Sequence, residues 1–173
     1  MKLFIIIFSF LFVHGCANYE KFRQITEELE IPSKIYKADF NQTWKAVLKV
    51  MHKYEIASSN QEAGFIKTRW IDNTLEENFN NSFGTSDTVK AARFKLVVNV
   101  VKGFRMGKEV TKVTIYKRQI IEQEFLQGWK EVPSDGIMEK TILYRIQRLI
   151  AIDNKLQEID KAREKEQLEN SGL

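Results

Sequence analysis

Residues able to do chemistry are few in this chain, and they are scattered. Past residue 15 one histidine remains, His52, beside Lys53. A serine hydrolase needs a histidine paired with an acid, yet His52 falls on the polar side of the helix its neighbours predict. Asp72, Glu76, Glu77 and Asp87 are carboxylates of the kind that hold calcium, but the D-x-[DN]-x-[DN]-G spacing is missing. No G-x-S-x-G, Walker loop, H-E-x-x-H or dinucleotide glycine pattern occurs. The other carboxylates fall in predicted loops and on charged helix faces, where solvated or ion-paired roles are ordinary. The residues therefore point to a protein that is not an enzyme and carries no cofactor or metal.

What remains is recognition. Lys67, Arg69, Arg93, Lys95, Lys112 and Arg118, with Tyr116 among them, fall at alternate positions of three predicted strands. Alternation puts them on one face of a sheet. Interleaved basic and aromatic residues bind nucleic acid, phosphate-rich lipid or acidic protein; a solvated antiparallel face needs no ligand at all. Phe79 and Phe83, on a long polar segment between two strands, either pin that segment to the domain or are offered to a partner.

The elements that must position these residues start at Ile35. Asp39 and Gln42 mark a helix start of the capping-box type. Phe40, Trp44, Val47, Leu48 and Met51 then lay one apolar stripe on a helical period. Tyr54 to Ile56 and Phe65 to Trp70 alternate as strands, with a turn over 60–64 between them. Residues 91–102 form the clearest strand, with Phe94, Leu96, Val98 and Val100 on its core face. A turn over 103–107, longer than minimal, leads into a return strand over 109–122 with Val113 and Ile115 inside. After a connector over 125–133, in which Trp129 packs at the core edge, a long helix starts near Ser134 and runs to about Gln167. Ile137, Met138, Thr141, Ile142, Ile146, Leu149 and Ile150 form its buried stripe. The expected fold is α+β: an antiparallel sheet packed against a long C-terminal helix and a shorter N-terminal one, in the order β-α-β-β-β-β-α.

Hydrophobic residues at 43% and charged residues at 29% place the chain among globular rather than disordered sequences, and 173 residues suit one domain. The N-terminus has the layout of an export signal. Met1-Lys2 is a minimal positive start, and 3–13 is an apolar run too short to span a membrane comfortably. The run ends in Val13-His14-Gly15-Cys16, which resembles a bacterial lipobox, with His14 at a position that favours small residues. That resemblance implies cleavage before Cys16 and acylation of it, and so a membrane anchor; a plain secretory peptide or an uncleaved anchor is the alternative. With Cys16 acylated, no His/Cys metal site can be assembled. Removing 1–15, which hold one Lys, lowers the net charge from +4 to +3. That excess is too small to imply nucleic acid. The expected domains are a signal peptide over 1–15, a lipidated tether over 16–34, a folded domain over 35–152 and a charged helical extension over 153–173.

The phrase DFNQTWKAVLKVMHKYEI…EAGFIKTRW is similar to the domain of the C subunit of the outer-membrane β-barrel assembly machinery (BamC) and its small lipoprotein relatives. The matching positions are Trp44, Tyr54, Ile56, Gly64, Thr68 and Trp70. The resemblance implies a helix-grip fold over roughly 35–150 and, with the lipobox, attachment at Cys16 to the outer membrane facing the periplasm. It also implies a non-catalytic accessory or scaffold in outer-membrane protein assembly or envelope maintenance, acting by protein–protein binding. A different lipoprotein built from the same domain is equally compatible. Two other readings come from different classes. One is a carrier whose aromatics Phe40, Trp44, Phe65, Trp70, Phe94 and Trp129 line a cavity for a lipid or other apolar ligand. The other is a module that binds anionic glycolipid or cell-wall polymer through the basic face.

Overall fold

The structure, a computed structural model, describes residues 31–76, 90–122 and 128–170. Cys16, the stretch read as a signal, most of the stretch read as a tether, Phe79 and Phe83 lie outside the described residues. From Pro32 onward the chain forms one compact unit. Its elements are β1 (Ser33–Tyr36), α1 (Phe40–Met51), β2 (Ile56–Asn60), β3 (Phe65–Thr68), β4 (Ile71–Asp72), β5 (Ala91–Arg105), β6 (Lys108–Glu122), β7 (Lys130–Val132) and α2 (Ile137–Asn170). The first strand thus begins at Ser33, inside the stretch read as tether. Two short strands, β4 and β7, add to the expected order.

All seven strands form one antiparallel sheet in the order β1-β6-β5-β3-β2, with β4 also on β5 and β7 also on β6. Both helices cover the same face. Trp44, Val47 and Met51 of α1 and Ile142, Leu143, Ile146 and Ile150 of α2 pack on Phe94, Leu96, Val98, Val100, Val113 and Ile115. Each such aliphatic side chain contributes about 1.5–3 kcal/mol over exposure. A lone cysteine forms no intramolecular disulfide, so this two-layer core carries the fold.

The Asp39 carboxylate accepts from the Gln42 N–H at 2.8 Å and caps α1 as its sequence predicts. The reciprocal half of the box is replaced: the Gln42 amide donates instead to Asp153 and Asn154, both at 2.6 Å, and so ties α1 to α2. Gly64 has φ +61°, and its carbonyl accepts from the Val100 N–H at 2.7 Å, joining the β2–β3 turn to β5.

Three expectations are corrected. The β5–β6 turn is tight: Arg105 pairs with Lys108 across Met106 and Gly107, both at positive φ. That geometry suits a two-residue hairpin, and Met at its first position hid it. The second helix starts at Ile137, because the Ser134 hydroxyl and Asp135 carboxylate accept from Gly136 and Ile137 N–H groups and hold a turn there. Ile137 and Thr141 are consequently exposed, and Leu143 and Glu139 take buried places in the stripe. The helix has 34 residues and is about 50 Å long; every side chain over 151–170 is exposed.

Candidate functional site

Among the described residues nothing covers the second face of the sheet, and a cluster of aromatic and basic side chains gathers there. Its position depends on an irregularity next to β3. Four steps of chain, Lys67 to Ile71, run against three on β5, Val97 to Phe94. The extra residue inverts the alternation of side chains. The Thr68 hydroxyl bridges the gap, accepting from the Leu96 N–H at 2.9 Å and donating to the Arg69 carbonyl. Ile71 therefore returns to the core side, opposite Phe94, and Trp70 comes out over the open face.

There Trp70 meets the cations of β5 and β6. The Lys95 ammonium stands 4.6 Å from its ring centre, and the Arg93 and Arg118 guanidiniums 5.8 and 6.0 Å. Trp129, which leads into β7, lies over Arg93 at 3.8 Å. Arg93 is thus flanked by two indoles. Its Nε is buried and has no hydrogen-bond partner among the described residues. Asp72, the residue opposite it on β4, turns its carboxylate to the Thr74 N–H and hydroxyl.

Lys95 and Arg118 face each other across the strands, a like-charge pair that ordinarily destabilises. Glu131 of β7 offsets it. One carboxylate oxygen accepts from Arg118 Nε and Nη2 at 3.0 and 2.9 Å, and the other accepts from the Tyr116 hydroxyl at 3.2 Å. The Arg118 bond holds the Glu131 carboxyl below the usual carboxylate range and raises Arg118 in turn. Tyr116 is raised by desolvation and then by its bond to Glu131. Lys95 is pushed down, first by desolvation and then by Lys67 and Arg118, with Glu131 opposing. Among the described residues Glu131 is the carboxylate paired with this cluster, and Arg118 and Tyr116 already engage it.

The structure brings Lys67, Arg93, Lys95, Tyr116 and Arg118 together, as the strand alternation predicts. Arg69 is drawn away by Glu55 at 3.2 Å. Lys112 is on the same face but opposite Val101 and Ile35, about 20 Å along β6 from Arg118. The members that alternation missed are Trp70, Trp129 and Glu131. Trp129 does not pack at the core edge: Gly128, at φ +69°, turns the chain so that the indole lies on Arg93, 40% exposed. An aromatic next to a glycine just before a short alternating stretch was the available signal.

None of the six aromatics proposed to line a ligand cavity, Phe65 of β3 included, borders the cavity that the described residues form on the helix side. Trp44 and Phe94 are buried in the core, Phe40 stacks on Trp44 at 6.0 Å, and Trp70 and Trp129 are on the open face. A cavity of about 640 Å³ does exist on the helix side, with other walls. Among the described residues no group of three or more His, Cys, Asp or Glu side chains is placed to hold a metal ion, and no helix is long and apolar enough to cross a membrane. No family model matches the chain, and no curated protein matches its sequence.

Proposed function

We propose that this chain is a non-catalytic, lipid-anchored protein of the bacterial envelope that binds a protein partner through the open face of its sheet. In this reading Cys16 holds it to the membrane, facing the periplasm. Anchoring raises its local concentration near partners without any chemistry. It serves as an accessory or scaffold in outer-membrane protein assembly or envelope maintenance. The observation that carries the reading is Arg93 between Trp70 and Trp129. Tryptophan, tyrosine and arginine are the residue types that dominate binding energy at protein interfaces, and Tyr116 and Arg118 adjoin the pair. The surplus of positive charge favours a partner surface rich in carboxylates.

The test is photo-crosslinking of the full chain in its native envelope, with the reactive residue at Tyr116 and, for comparison, at Leu156 on the exposed extension. Capture of an envelope protein from Tyr116 is the expected result. Crosslinks to lipid or glycan alone from Tyr116 would remove the protein-binding reading and favour a module for anionic glycolipid or cell-wall polymer.

A further inference from the structure

Lys117 sits where the core pattern calls for an apolar side chain. It follows Val113 and Ile115 on the helix-facing side of β6 and lies opposite Leu96. It is 8% exposed, and its ammonium stands 5.1 Å from the ring centre of Phe94. No carboxylate among the described residues forms an ion pair with it. An isoleucine here would simply continue the core; a lysine lays its stem on that core and brings an ammonium to the cavity beside it.

The cavity of about 640 Å³ opens against this lysine, within the range of roughly 300–1,000 Å³ in which small-molecule sites fall. One wall is apolar, from Ile121 and Val132 of the sheet and Met138 and Ile142 of α2. Charge enters the lining at Lys117 and at Lys53, Glu76 and Asp135; these last three are exposed. Two exposed carboxylates in the lining disfavour a polyanion, whereas one lysine reaching the cavity from the sheet suits a single negative charge. We infer that this cavity binds a small amphiphile with one anionic head group, seated on Lys117 with its apolar body against Ile121, Met138 and Ile142. This site is on the opposite side of the sheet from Trp70 and Trp129 and is independent of the open-face reading.

The test is a fluorescence titration of the full chain, held in phosphatidylcholine nanodiscs, with 11-(dansylamino)undecanoic acid, corrected for uptake by empty discs. The expected result is saturation at one probe per chain and at least tenfold weaker binding to Lys117→Met. The probe's uncharged methyl ester should bind both proteins alike. Met138→Trp, which fills the cavity and keeps Lys117, should abolish saturable binding, and it supplies the readout if the Lys117→Met protein loses its cooperative thermal transition. Competition by lauric acid or by lysophosphatidic acid tells a carboxylate head from a phosphate head. No saturable binding to the unaltered chain, or binding by both variants as tight as its own, would overturn the site.

Discussion

The Arg93 guanidinium lies 3.8 Å from the centre of the Trp129 ring, with Trp70 at 5.8 Å from the same group. The three side chains come from β5, the approach to β7 and the β3–β4 irregularity, so long-range pairing assembles them. An arginine held by two rings has few rotamers left to lose on binding, which suits it to anchor an interface.

Trp129→Ala tests that anchor. An exposed cation–π contact is worth about 0.5–1 kcal/mol, so the thermal midpoint should move little. Partner capture from a photo-reactive residue at Tyr116 should fall at least tenfold. Undiminished capture would show that the pair is only structural.

Glu131→Gln probes the electrostatics of the same face. Glu131 opposes the downward shift of Lys95, so its neutralisation should move the Lys95 ammonium further down in an NMR titration. It should also steepen the salt dependence of anion binding. In the unaltered protein the Glu131 carboxyl ionises below its usual range. The stability from its bond to Arg118 is therefore present above the unfolded-state value and lost as pH falls through the lowered folded-state value.

Tyr36 offers an alkaline counterpart. Its buried hydroxyl donates to the Leu143 carbonyl at 2.7 Å, joining β1 to α2, and burial raises its ionisation well above the ordinary 10.0. Its neutral form stabilises the fold below about pH 10, and that contribution declines as pH rises beyond it. Tyr36→Phe should cost about 1 kcal/mol in denaturant unfolding at neutral pH. It should also flatten the loss of stability on the alkaline side; an unchanged alkaline slope would assign that slope to other groups.

Gly64→Ala should be the most damaging single-methyl change. A Cβ at Gly64 would stand 2.0 Å from the Val100 carbonyl oxygen, at φ +61°. The left-handed conformation alone costs a non-glycine residue about 1–2 kcal/mol, and the backbone contact adds to it. Chemical denaturation should show a loss above about 2 kcal/mol; a loss under 1 would mean that β3 and β5 separate easily there.

Local rules decided much of this protein. The helical period placed Trp44, Val47 and Met51 inside, the Asp39 cap set the start of α1, and period-two alternation sorted β5 and β6 into core and open faces. Lys67, Arg93, Lys95, Tyr116 and Arg118 could therefore be placed on one surface from their spacing alone. Each of these signals depends on neighbours within a few residues. Trp70, Trp129, Glu131 and Lys117 were decided otherwise. One additional residue between Lys67 and Ile71 shows itself only against β5, because register is a property of two strands. Glu131 and Trp129 reach the cluster through the pairing of β7 with β6, and α2 brings Met138 and Ile142 to the cavity beside Lys117 from far along the chain. Spacing states which face a side chain takes while its strand stays regular; only the tertiary structure states where regularity breaks and which distant residues then meet.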